Sequence, residues 1–318
     1  MSDNKAEQKV REILGNSEFR YKNEHYRIIQ NEKPSPETKT DFYILAENQE
    51  DKSKKEFKIS YKKSTYSFIE NKIQPHRIKI IFGEKWSDIL KNQILQKNTI
   101  EENIYWKKKI PDEHLEDSFN SFPLINFKSK KIMLGWRYEI EQLDASETGN
   151  RLHSGKIEEN ITPQIFWGEN CRDNMRDALV DGIEIMGSGI PDFILIRDPE
   201  DIQCADDVFD NLLDIKDYAK QHHEMRAGFL SQYYRWSEKH SSWKTEGNSR
   251  VFAVWIKWEI VNGKIRGKPI LDQPLKKTAG DVLDDLKNCL EKMGIIHEPN
   301  IDLEALRKHL SDNTISKG

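Results

Sequence analysis

The chain of 318 residues is poor in cysteine. Its three cysteines, Cys171, Cys204 and Cys289, lie far apart, and none forms a C-x-x-C pair. That spacing excludes a structural zinc site and a disulfide framework, and it fits a reducing cytoplasm. Long apolar runs are also missing. The opening residues MSDNKAEQKV lack the apolar stretch of a signal peptide, and no segment approaches the length of a membrane span. A soluble, cytoplasmic protein without a membrane partner is therefore expected. No internal repeat or low-complexity tract is visible. Hydrophobic residues make up only 36% of the chain against 33% charged, yet eight Trp and ten Tyr argue against disorder. This length allows one large domain or two ordinary ones, with enough apolar residues for a real core.

A net charge of −4 hides a segregation. Residues 51–100 hold twelve Lys/Arg and five Asp/Glu, while 151–210 hold five Lys/Arg and fourteen Asp/Glu. A basic block on a nearly neutral chain is either a solvated lysine-rich face or an electrostatic footprint for phosphates.

Pattern reading gives a mixed α/β (α+β) chain without regular βαβ alternation. A short amphipathic helix is expected over 4–15, with Val10, Ile13 and Leu14 as its stripe. Phe19–Gln30 suits a strand pair or a helix. Pro34 and Pro36 mark 31–40 as an extended loop. Strands are expected at 41–47, 56–62, 130–140, 190–196 and 250–260. Asn262-Gly263 then predicts a tight hairpin into 264–271. Ser67-Phe68-Ile69-Glu70 matches a capping box and predicts a helix start that Pro75 would interrupt. Helical spacing marks the region after Trp86, much of 208–236, and the segments 281–293 and 301–310. Residues 1–140 would form a core carrying the chemistry. Residues 141–318 would supply the rest of the sheet and the recognition elements, packed with it as one globule.

The segment 38–73 concentrates the chemistry. On the second strand Phe57, Ile59 and Tyr61 share one face, and Glu56, Lys58, Ser60 and Lys62 share the other. The polar turn 48–55 centres the hairpin near 51–52, so Asp41 should face Ser60 to Lys62. Glu56 would then lie roughly 13 Å further along, at about 3.3 Å per residue. A tighter turn would instead set Glu56 and Lys58 opposite Asp41 as an E-x-K. In either register, a carboxylate facing a lysine offers a ligand for a hard divalent cation and a positive charge beside an attacking water.

Lys39-Thr40-Asp41 and Ile59-Ser60-Tyr61-Lys62-Lys63, followed by Phe68-Ile69-Glu70-Asn71-Lys72-Ile73, resemble the PD-(D/E)XK nuclease motif in its type II restriction endonuclease variant. The resemblance covers about 40 residues. It implies a central mixed sheet flanked by helices and a Mg2+-dependent endodeoxyribonuclease that leaves 5′-phosphates. It further implies a homodimer on double-stranded DNA. Asp41 would bind the metal, Lys62 would stand beside the attacking water, and Ser60 would occupy the position where the family usually has an acid. The second protein ligand would be the backbone carbonyl of Tyr61 or a carboxylate such as Glu12, Glu24 or Glu70. Lys39, Lys58, Lys63, Lys72, Arg77 and Lys79 would contact backbone phosphates. The alternative function is a DNA-binding protein that keeps the nuclease fold without catalysis.

A second candidate is more literal: Pro191-Asp192 followed by Asp214-Ile215-Lys216. It ranks below the first because Asp214–Lys216 falls in a helical pattern and the intervening segment is acidic, which opposes a phosphate backbone. His222-His223 and His240 do not fit zinc-pair spacing. Ser188 and the Ser241-Ser242 pair lack a partnered His/Asp pattern, and Gly187-x-Gly189 is too short for a nucleotide loop. The aromatic group Tyr233, Tyr234, Trp236, Trp255 and Trp258 reads as core rather than as a base-stacking platform.

Overall fold

The computed structural model describes residues 3–34, 39–64, 68–70, 73–98, 124–141, 151–157, 178–180, 182–221, 225–297 and 300–310, together with Phe119, Ile161, Ile165 and Phe166. In chain order the elements begin with α1 (Asp3–Leu14), β1 (Glu18–Tyr21), β2 (Glu24–Glu32), β3 (Phe42–Asn48), β4 (Lys54–Lys62) and β5 (Phe68–Glu70). Next come α2 (Pro75–Phe82), α3 (Trp86–Asn98), β6 (Ile125–Asn126), β7 (Lys131–Glu141) and β8 (Arg151–Lys156). Then follow β9 (Ala178–Val180), β10 (Ile183–Ile185), β11 (Phe193–Ile196), α4 (Ala205–Phe209), β12 (Leu213–Asp214) and α5 (Ile215–Gln221). The last group is β13 (Arg226–Ser237), β14 (Ser242–Lys244), β15 (Val254–Val261), β16 (Lys264–Ile270), α6 (Ala279–Lys292), β17 (Ile296–His297), β18 (Asn300–Ile301) and α7 (Leu303–His309). Among the described residues no helix is long and apolar enough to cross a membrane.

The chain divides into two units, each built from two separated stretches: 1–69 with 157–225, and 70–156 with 226–318. The boundary expected at residue 140 falls inside β7. The pairings that define each unit join strands far apart in sequence, and composition along the chain carries no mark of them.

The first unit holds a six-stranded mixed sheet in the order β1-β2-β3-β4-β11-β12. Neighbours are antiparallel except β4 and β11, which run parallel from Ile59↔Phe193 to Lys62↔Ile196. One face buries Phe42, Ile44, Phe57, Ile59, Tyr61 and Leu195 against α1 and α4. The stripe of α1 is Ala6, Val10 and Leu14, all fully buried, with Ile13 packed at its margin. Phe19 of β1 stacks on Phe209 of α4 with ring centroids 3.4 Å apart. Residues 19–30 form a strand pair, β1 and β2, around a turn in which Lys22 and Asn23 take positive φ.

The second unit holds an eight-stranded sheet ordered β14-β13-β7-β15-β16, with β5 and β6 also on β7 and β8 on β13. Trp136, Trp255 and Trp258 are buried here, as is Tyr234. The hairpin β15–β16 turns at Asn262-Gly263, whose φ values of 51° and 74° are those that Asn-Gly tolerates best.

Two secondary-structure expectations are corrected. The Ser67–Glu70 motif starts no helix: Phe68–Glu70 is strand β5, and the helix begins at Pro75, whose missing N–H suits a first helical position. Among the described residues, the helical reading of 208–236 holds only for Ile215–Gln221 and the end of α4. Residues 226–237 are a twelve-residue strand. That strand is central and buried on both faces from Ala227 to Phe229, so it shows no alternation for a sequence pattern to catch.

Candidate functional site

The β3–β4 turn is closed by Asn48, whose side-chain oxygen accepts the Glu50 N–H at 2.8 Å, and by Lys52 at φ 62°. This geometry fixes the register at Phe42↔Ile59 through Glu47↔Lys54. Asp41, one residue before β3, donates its N–H to the Ile59 carbonyl at 2.9 Å and so stands opposite Ser60. Its carboxylate accepts the backbone N–H of Tyr61 at 2.8 Å, and the Ser60 hydroxyl lies 3.5 Å from the same oxygen. Burial pushes the Asp41 carboxyl above the usual carboxylate range. The Lys62 charge and the Tyr61 N–H pull it back, Glu7 adds to the rise, and Lys33 opposes it. The structure thus brings Asp41, Ser60, Tyr61 and Lys62 together at one end of the sheet.

The tighter E-x-K arrangement is not formed. Glu56 pairs with Leu45, nearer the turn, and its carboxylate accepts the Tyr43 hydroxyl. Lys58 is drawn to the neighbouring strand, where its ammonium lies 3.2 Å from Asp192 and its carbonyl accepts the Asp192 N–H at 2.8 Å.

That ion pair takes Asp192 out of the second candidate. Phe193 pairs with Asp214, so those two share a face and Asp192 leaves from the opposite one. The Asp214 carboxylate instead accepts the N–H groups of Lys216 and Asp217 at 2.8 and 3.2 Å, capping α5. Asp192, Asp214 and Lys216 therefore form no common centre.

The described ones among the expected phosphate-contacting lysines and arginine fall in both units. Lys39 and Lys58 are half-buried in the first unit, and Lys63 is buried there. Arg77 belongs to the second unit, where it is 4% exposed and its guanidinium forks onto Glu70 at 2.6 and 2.9 Å. Lys79 pairs with Glu84 at 3.0 Å in an exposed contact. Lys72, Ser67, Cys171 and the His222-His223 pair lie outside the described residues. The basic block of 51–100 is thus split between two units.

The carboxylates considered as further ligands are engaged elsewhere. Glu70 holds Arg77, Glu24 accepts the Tyr26 hydroxyl, and Glu12 is exposed and accepts the Gln8 amide at 2.9 Å. Glu7, on the first helix, pairs with Lys33 at 2.6 Å. Among the described residues no group of three or more His, Cys, Asp or Glu side chains converges as a metal cage. Comparison with protein-family models, with curated proteins and with solved structures gives no match for this chain.

Proposed function

We propose that this chain is a Mg2+-dependent endonuclease for double-stranded DNA, of type II restriction character and working as a homodimer. The supporting observation is the Asp41 carboxylate, held by the Tyr61 N–H beside Ser60 and Lys62 at the end of a hairpin. The donor set suits Mg2+, which commonly takes one or two carboxylates and completes its shell with water and substrate phosphate. Asp41 would hold the ion. The Tyr61 carbonyl would assist it, because in an antiparallel strand the N–H and C=O of one residue leave on the same side. When bound, the ion would polarise the scissile phosphate and lower the pKa of a water. Lys62 would donate to that water and offset the charge gathering on the phosphate oxygens. The water oxygen would bond to phosphorus as the bond to the 3′ oxygen breaks, leaving a 5′-phosphate and a 3′-hydroxyl.

Ser60, a neutral residue beside the only carboxylate on the hairpin end, favours a second reading: a DNA-binding protein that keeps the arrangement without cutting. Plasmid cleavage in Mg2+ distinguishes them. Discrete bands are expected. Asp41→Asn and Lys62→Ala should each lose more than about 100-fold in rate, as for a positioned catalytic group. Lys216→Ala should cut like the parent chain. Full activity in Asp41→Asn or Lys62→Ala would remove the nuclease assignment from this hairpin, and DNA binding without cleavage by the parent chain would favour the second reading.

A further inference from the structure

Strands β15 and β16 pair in one register from Trp255↔Ile270 to Val261↔Lys264. Alternate residues of such a ribbon share a face. One face carries Ile256, Trp258, Ile265, Gly267 and Pro269, all buried. It is locked in place: the Trp258 indole donates to the Met133 carbonyl at 3.3 Å, and a Cβ on Gly267 would lie 2.7 Å from the Leu124 side chain. The other face carries Lys257, Glu259, Val261, Lys264, Arg266 and Lys268, of which Lys257, Lys264 and Lys268 are exposed. Residues 254–270 hold four Lys/Arg and one Asp/Glu. Among the described residues, the one ion pair on this face joins Lys257 to Glu259 at 2.6 Å. Lys257 and Lys268 stand directly opposite each other, a like-charge pair that costs the ribbon stability.

The fold adds cations from elsewhere in the chain. Leu310 bridges to Ile265 in parallel, which sets the last turn of α7, with exposed Arg307 and Lys308, beside β16. Lysines on an edge strand commonly serve to keep other strands away. That account covers neither Lys257, on a strand with neighbours on both sides, nor Lys308, on a helix. Lys264, Arg266 and Lys268 recur at every second residue. Their row spans about 14 Å at about 3.4 Å per residue, a length over which one strand of DNA presents about four phosphates.

We propose that the charged face of the β15–β16 ribbon, extended by Lys308, binds the phosphate backbone of duplex DNA without reading its sequence. The inference rests on DNA being the substrate of this chain, and it sets a backbone-binding surface wholly within the second unit. Phosphate oxygens would supply the negative charge that one carboxylate cannot supply to four cations. Lying against Lys257 and Lys268 together, they would relieve the repulsion of that pair. Each phosphate neutralised releases counter-ions and adds about 0.9 to the slope of log affinity against log salt.

Binding of the full chain to a fluorescein-labelled duplex of arbitrary sequence, followed by anisotropy in EDTA so that nothing is cut, tests this. Lys264→Gln, Lys268→Gln and Lys308→Gln should each lower affinity about tenfold at about 0.1 M salt and make the salt slope shallower by about one. The losses should be equal on a second duplex of unrelated sequence. Lys239→Gln, between β13 and β14 at the opposite edge of the same sheet, should leave affinity and slope unchanged. Thermal melts should place Lys268→Gln at or above the parent, because the like-charge pair is gone, so its loss of binding is not a loss of fold. Parent-like affinity and slope in all three variants, with DNA still bound by the parent, would overturn this proposal and leave the hairpin site of the first unit untouched. A loss confined to one sequence, or one without a change of slope, would overturn it equally. No binding of the parent to duplex DNA at low salt, whether or not it binds phosphatidylserine vesicles, would overturn both this proposal and the nuclease reading.

Discussion

Asp41 pays for its position in stability. Its carboxyl is raised by burial more than Lys62 and the Tyr61 N–H lower it, so the charged form is worse off in the folded chain than in the unfolded one. The sign of the pH dependence follows. The penalty is full above the folded pKa, fades as pH falls through it, and is gone below the ordinary carboxylate value. Asp41→Asn should therefore raise the melting temperature at pH 8 in EDTA, because the amide oxygen can still accept the Tyr61 N–H without a buried charge. The advantage should vanish toward pH 3. An equal or lower melting temperature at pH 8 would show that the carboxylate is stabilised where it sits. Groups kept at a cost to the fold are commonly functional ones.

Among the elements, α6 shows how local chemistry sets a boundary. Thr278 accepts the Asp281 N–H, and Asp281 accepts the Thr278 N–H and hydroxyl, both at 2.7 Å. These bonds hold the Asp281 carboxyl below its usual range, so its contribution is present above the unfolded value and is lost as pH falls through the lowered one. Thr278→Ala should cost about 1 kcal/mol in urea unfolding at pH 7, and the deficit should narrow in acid. Elements of this kind were legible in the sequence, as were α1, the β15–β16 hairpin and the β3–β4 ribbon, because their signals lie within a few residues of their effects. Turn composition placed Asp41 facing Ser60 to Lys62, with a tighter register left open, and the structure sets it opposite Ser60. Strand β13 was not legible, since a doubly buried strand hides its alternation. Strand β5 was misread because Ser-x-x-Glu is as compatible with a loop entering a strand as with a cap. The site itself was half legible. Its hairpin residues are close in sequence, whereas Arg11, whose guanidinium reaches the Asp41 carbonyl at 3.4 Å, comes to it only through the packing of α1. The Lys58–Asp192 pair, which removes a lysine from one motif and an acid from the other, depends on a parallel strand contact that no local pattern announces.

At the scale of the molecule, each unit is completed by chain that arrives late. A fragment ending at residue 140 would contain β4 without β11 and most of β7 without β13. It is expected to be aggregation-prone and to lack a cooperative urea transition, while the full chain unfolds cooperatively. A sharp transition and dispersed amide resonances for the 1–140 fragment would refute this. The same threading bears on synthesis. During translation at about 5–20 residues per second, Phe193 follows Ile59 out of the ribosome only after an interval on the order of ten seconds. Throughout that interval the nascent β1–β4 meander presents an unpaired β4 edge carrying Phe57, Ile59 and Tyr61. The lysines at 54, 55, 58, 62 and 63 flank those apolar residues and act as gatekeepers against a neighbouring nascent chain adding its own strand there. The lysine-rich ribbon is thus of service to the newborn polypeptide before the mature protein can use it for anything else.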